Sequence, residues 1–95
     1  MKLLEIKKST RANKKWMVLI EKDGKTIIRH FGSKGSPDYT TPPHSDVKRA
    51  SYIARHSANE SYNDPTTPAT LSRYLLWEYK SLSDAIKQYK IRFHM

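Results

Sequence analysis

"KKWMVLIEKDGKTIIRHF", Lys14 to Phe31, is the stretch whose reading decides the fold. Trp16, Val18 and Ile20 alternate with Met17 and Leu19, and Ile28 follows in a second run, so each half can turn one side into a core at a period of two. Between the halves, Asp23-Gly24 provides two residues that accept positive φ, which is what a two-residue type I′ turn requires. Upstream, Leu4 and Ile6 alternate with charge in a third such run, joined by a longer, glycine-free connection from Ser9 to Lys14. Three antiparallel strands are therefore expected within residues 2–31.

Downstream the pattern changes. Gly32 and Gly35, then Pro37, Pro42 and Pro43, interrupt any regular element, so residues 32–45 read as an ordered but irregular crossing. Ser45 or Asp46 can cap a helix running to about Asn59, with Val47, Ala50, Ile53, Ala54 and Ser57 on one narrow face of small side chains suited to close approach to the sheet. Thr67-Pro68 pairs a threonine cap with proline at the first helical position. That second helix points Leu71, Tyr74 and Leu75 inward and closes with Trp77 and Tyr79. Ser81 and Asp84 resemble a capping box, opening a third helix in which Leu82, Ile86, Tyr89 and Phe93 form an amphipathic stripe. The expected architecture is α+β: one domain over residues 1–95, a three-stranded antiparallel sheet covered on one face by three helices spanning residues 46–93.

Ninety-five residues can support one core, since halving the chain would leave each part near the lower limit for independent folding. Eighteen Lys and Arg against nine Asp and Glu give a net charge of +9, and the resulting positive potential selects for polyanions or acidic surfaces. The chain has no cysteine, which excludes disulfides and thiolate chemistry. No run approaches the ~18 apolar residues of a membrane span, and charge breaks the first residues too early for a signal peptide, so a soluble protein made in a cytoplasm is expected.

The cations cluster in two places. Lys7, Lys8, Arg11, Lys14 and Lys15 crowd the first hairpin tip, with Lys34 beyond the second glycine-bounded turn. A β-ribbon so charged can follow a phosphate backbone or an acidic groove. On the first helix Lys48, Tyr52, Arg55 and Asn59 share one side at spacings of three and four, flanked by Arg49 and His56, a combination suited to phosphates and to base stacking. The same helix face equally suits a structural network with Asp38, Asp46 and Glu60. Surplus aromatic area at Tyr74 and Trp77 would serve as an anchor for a partner protein.

Catalytic and metal readings find less in the residues. His30, His44, His56 and His94 include no pair at i, i+4 on one helix and no His-Glu-x-x-His. No serine lies in a Gly-x-Ser-x-Gly turn. Gly32-Ser-Lys-Gly35 lacks the Gly-Lys-Ser/Thr ending of a phosphate loop, so Gly32 reads as a backbone requirement. No enzyme activity, metal or cofactor is expected.

The ordered set His30-Phe31-Gly32-x-Lys34-Gly35, Asp38-Tyr39-Thr40, His44-x-Asp46, Arg49, Tyr52-Ile53-x-Arg55-His56, Glu60 and Leu71-Ser72-Arg73-x-Leu75-Leu76-Trp77 resembles a family of small, mostly uncharacterised proteins of large double-stranded-DNA viruses and some phages. The resemblance covers about Lys25 to Ile86. Pro42 and Pro43 lengthen the turn before His44, Tyr62 stands where that family often has Trp, and Tyr74 replaces the first Trp of the Ser-Arg-Trp segment. The resemblance implies a virus-encoded, non-enzymatic protein packaged in the particle, with host cytoplasm or nucleus as the setting during infection. From the residues, His30, Gly32, Asp38, Tyr39, His44, Arg49, His56, Arg73, Tyr74 and Trp77 are expected to be structural or interfacial, with Asp38, Arg49, Arg55, His56 and Arg73 forming one polar network that pins the crossing onto the helices. The leading expectation is a minor virion component docking on other virion proteins through Trp77, Tyr74 and the crossing. The alternative is a DNA- or RNA-binding protein using Lys7, Lys8, Arg11, Lys14, Lys15, Lys34, Lys48, Tyr52 and Arg55.

Overall fold

A computed structural model describes residues 1–95. Strands β1 (Lys2–Lys8), β2 (Lys14–Lys22) and β3 (Lys25–Ser33) form an antiparallel sheet in the order β1-β2-β3, followed by helices α1 (Asp46–Ser57), α2 (Pro68–Leu75) and α3 (Leu82–Arg92). The α+β architecture read from the sequence is the one observed. Asp23 and Gly24 take φ of 53° and 77°, and Lys22 pairs directly with Lys25, so the two-residue I′ turn closes the second hairpin.

The β1 register differs from simple alternation. Leu3 pairs with Ile20 and Glu5 with Leu19, leaving Leu4 as the extra residue of a β-bulge. The bulge corrects the expected inward pair: Leu3 and Ile6 meet the core, while Leu4 is 47% exposed.

The core joins Leu3, Val18, Ile20 and Phe31 of the sheet to Leu71, Leu75 and Leu76 around α2 and to Ala85 and Tyr89 of α3. Leu71 and Leu75 have no exposed surface, so each contributes about 1.5–3 kcal/mol by leaving water. Each helix begins on a hydroxyl that accepts a backbone N–H three residues on: Ser45 from Lys48, Thr67 from Thr70 and Ser81 from Asp84. The α3 stripe packs as expected, with Ala85 added to it, and the Tyr89 hydroxyl donates to the Pro65 carbonyl. α2 stops at Leu75, so Trp77 and Tyr79 lie in the turn before α3 instead of closing the helix.

α1 docks by a different face from the one expected. Val47 is 78% exposed, Ala50, Ala54 and Ser57 face solvent, and no α1 residue is fully buried. The partly buried side carries Arg49, Tyr52, Ile53 and His56. Two stacked rings and a hydrogen-bonded guanidinium gain more from the turn after α2 than a stripe of alanines gains from a sheet already covered by α2 and α3. No helix is long and apolar enough to cross a membrane.

Candidate functional site

Lys14 and Lys15 come from the tip of the first hairpin, Ser36 to Asp38 from the start of the crossing, and Lys48, Ser51, Tyr52, Arg55 and His56 from one side of α1. Together with Ser72, Leu76 and Trp77 they enclose an open cleft of about 670 Å³. The two basic clusters that are far apart in sequence are therefore two walls of one feature. A smaller hollow of about 300 Å³, lined by Lys8, Ser9, Lys14, Lys15, Trp16 and Lys34, adjoins it through the shared Lys14 and Lys15. Lys34 reaches this place because its backbone N–H donates to the Asn13 carbonyl at 3.2 Å. Lys7 and Arg11 are exposed and line neither hollow.

The shape of the cleft depends on Gly32. Its φ is +80°, and a Cβ there would stand 2.9 Å from Leu76 Cδ1 and 3.2 Å from Lys15 Cβ. This close approach lets the Lys15 ammonium reach Asp38 Oδ2 at 2.5 Å, where the carboxylate side chain is only 4% exposed. The other oxygen, Oδ1, accepts the backbone N–H and hydroxyl of Thr40. The Tyr39 N–H donates to the Leu76 carbonyl, and its phenol donates to Asp46 at 2.6 Å, an interaction that pushes the Tyr39 pKa up. His44 turns Nδ1 onto the Tyr39 carbonyl at 2.9 Å.

The single network expected from Asp38, Arg49, Arg55, His56 and Arg73 is in fact three separate groups. Asp38 is committed to Lys15. Arg49 and Arg73 converge on one oxygen of Glu78, with Arg49 Nη2 at 3.0 Å, and Arg49 Nε also donates to the Trp77 carbonyl at 2.8 Å. His56 Nδ1 lies 3.2 Å from Glu60 Oε1. Arg55 stands outside all three, its Nε turned back to the Ser51 carbonyl. Glu78 went unrecognised in the sequence because the partners of one carboxylate near two arginines are set by tertiary placement, not spacing. Burial works against ionisation of Glu78, yet the hydrogen bond and charge of Arg73, followed by those of Arg49, leave its pKa below the ordinary carboxylate value.

The aromatic groups also divide. Tyr52 stacks on Trp77 with centroids 4.5 Å apart and on His56 at 4.1 Å, a ladder of three rings from the turn after α2 to α1. Burial, then the Glu60 charge, pushes the Tyr52 phenol up to about 12. Tyr74 belongs elsewhere: it meets Tyr62 and Phe93 edge-on, with Arg92 over its ring at 4.1 Å and Arg73 at 5.2 Å. His30 Nδ1 sits 2.7 Å from Ser9 Oγ at the tip of the first hairpin. His30, His44 and His56 thus serve separate local contacts, and no three His, Asp or Glu side chains gather in an arrangement that could hold a metal ion.

Of the 18 Lys and Arg, only Lys15, Arg49 and Arg73 enter ion pairs. Lys8, Lys14, Lys34, Lys48 and Arg55, all lining the two hollows, keep uncompensated charge. What this arrangement offers chemically is a recess for an extended anion with flat apolar groups, walled by cations and backed by rings. The chain belongs to a family of unknown function (DUF5754), whose pattern matches residues 4–56. That span takes in the sheet, the crossing and α1 through His56, while Trp77 lies beyond it. No curated protein and no solved structure matches the chain.

Proposed function

We propose that this protein is a non-enzymatic nucleic-acid-binding module whose cleft and adjoining hollow take up a phosphate backbone. The convergence of Lys14 from the hairpin with Lys48 and Arg55 from α1 on one cleft carries the reading, because phosphate recognition needs unpaired cations spread along a path. Lys8 and Lys34 extend that path through the second hollow. In a virus-encoded protein, the setting implied by the resemblance over Lys25 to Ile86, the polymer is the genome or its transcripts.

Docking on other virion proteins through Trp77 and Tyr74 has less support. Trp77 spends a ring face on Tyr52, and Tyr74 is occupied by Tyr62, Phe93 and two guanidinium groups, which leaves little of either as a free anchor.

Fluorescence polarisation with labelled single-stranded and duplex DNA tests the proposal. Engagement of about five cations gives a log–log salt slope of about −3.5 for a single strand and −4.5 for a duplex, so binding should weaken on the order of 10²-fold or more from 50 to 200 mM salt. The double substitution Lys48→Glu with Arg55→Glu, on exposed α1 positions, should cut affinity at least about tenfold while circular dichroism stays unchanged. Absence of binding at 50 mM salt, or binding indifferent to this substitution, would refute it.

A further inference from the structure

The ring ladder in the cleft ends on a partly exposed ring. Tyr52 stacks with both Trp77 and His56, whereas His56, the last ring, has a side chain 37% exposed and lines the cleft. The imidazole plane is held in place: Nδ1 is against Glu60 Oε1 at 3.2 Å, and the other Glu60 oxygen accepts from the Tyr62 hydroxyl at 3.4 Å. Arg55 precedes His56 on the same helix, and Lys48 lies two turns back on the same wall.

We infer that His56 is a base-stacking platform, so that the cleft takes single-stranded nucleic acid with one base laid on the imidazole as the fourth layer of the ladder and the flanking phosphates on Arg55 and Lys48. This rests on the phosphate-binding reading above and adds the state of the strand. The charges separate accordingly. The Glu60 carboxylate beside His56 repels a phosphate but tolerates the neutral face of a base, while the cations stand to one side of it. A duplex keeps its base faces inside its own stack and presents only phosphates and groove edges, so the ladder adds nothing to its binding. A fixed, partly exposed ring beside cations is what sequence-independent single-strand binding uses.

A free nucleotide has the same base-plus-phosphate chemistry, and the test separates the two. Labelled oligo(dT) of about 12 nucleotides, an abasic oligomer of equal length and charge, and a duplex of equal length are titrated at low salt, with dTMP as competitor. Oligo(dT) should bind at least about tenfold tighter than the abasic strand, His56→Ala should lose about 5- to 100-fold on oligo(dT) alone, and His56→Phe should retain binding. Large excess of dTMP should displace little, since one phosphate replaces several. The comparison of oligo(dT) with the abasic strand uses the unaltered protein and does not depend on how the variants fold. Equal binding of oligo(dT), abasic strand and duplex, with salt sensitivity intact, overturns the stacking inference and leaves the phosphate reading standing. Displacement by dTMP at the affinity of the oligomer overturns it in favour of a nucleotide pocket. Failure of every polymer to bind removes both readings.

Discussion

Tyr52 and Trp77 lie ring on ring, 4.5 Å between centroids and 9° from parallel, and with the Arg49 hydrogen bond to the Trp77 carbonyl this pair fastens α1 to the rest of the molecule. A helix with no fully buried residue depends on such ties, with the Arg49–Glu78 ion pair and the Tyr39–Asp46 hydrogen bond beside them. Trp77→Ala should therefore lower stability by about 2–3 kcal/mol and Trp77→Phe by about 1. Urea unfolding measures the loss, and amide exchange across Arg49 to Ser57 should accelerate more than exchange in β2.

Glu78 unites Arg49 and Arg73, so neutralising it leaves two guanidinium groups facing each other. Glu78→Gln should cost about 1–2 kcal/mol at pH 7, a figure reduced from that of a buried pair because Arg49 is 30% and Glu78 21% exposed. The Glu78 pKa is depressed in the folded state, so its contribution is present above the ordinary value of 4.5 and is lost as pH falls through the lower native value. Melting temperatures of the two proteins should differ at pH 7 and converge once the pH has fallen through the depressed native value.

Gly32 and Gly35 share positive φ but differ in surroundings: beside Gly32 stand Leu76 and Lys15, and beside Gly35 there is open space. Gly32→Ala should destabilise by about 2–3 kcal/mol, strain and overpacking together, and Gly35→Ala by about 1 from strain alone. Gly32→Ala should also weaken oligonucleotide binding, because it pushes Lys15 and Leu76 apart within the cleft. Chemical denaturation and polarisation on the same pair of variants check both statements.

Tyr52 predicts the alkaline limit. Its pKa rises from 10.0 to about 12, so it contributes stability that is complete below 10 and disappears as pH climbs through the folded value. Tyr52→Phe keeps the stack, should change stability at pH 7 by less than about 1 kcal/mol, and should fall less steeply than the parent between about pH 10 and 12. Tyr89, raised in the same direction by burial, leaves a residual alkaline slope in both proteins.

Signals confined to a few neighbouring residues were legible in the sequence. Asp23-Gly24 carries its own turn, the period of two announces the strands, and Ser45, Thr67 and Ser81 each cap a backbone N–H three residues ahead. Features that depend on distant partners left no such trace. The Leu4 bulge comes from the pairing of β1 with β2, and α1 turned its polar side inward because Trp77 and Glu78, far along the chain, offered better contacts than the sheet. By sequence Lys15 and Asp38 belong to different groups, and only folding joins them across 23 positions. The cleft follows the same logic. Lys14, Lys48, Tyr52, Arg55 and His56 carried legible chemistry as two sites, and their merging into one was visible only in three dimensions.

The irregularity at Leu4 bears on how the protein behaves when crowded. Where copies meet at high local concentration, an outer strand with straight, unpaired backbone groups can zip onto its neighbour's. In β1 the run is interrupted at the bulge and flanked by Lys2, Lys7 and Lys8, so charge and broken register both oppose edge-to-edge pairing through this side of the sheet.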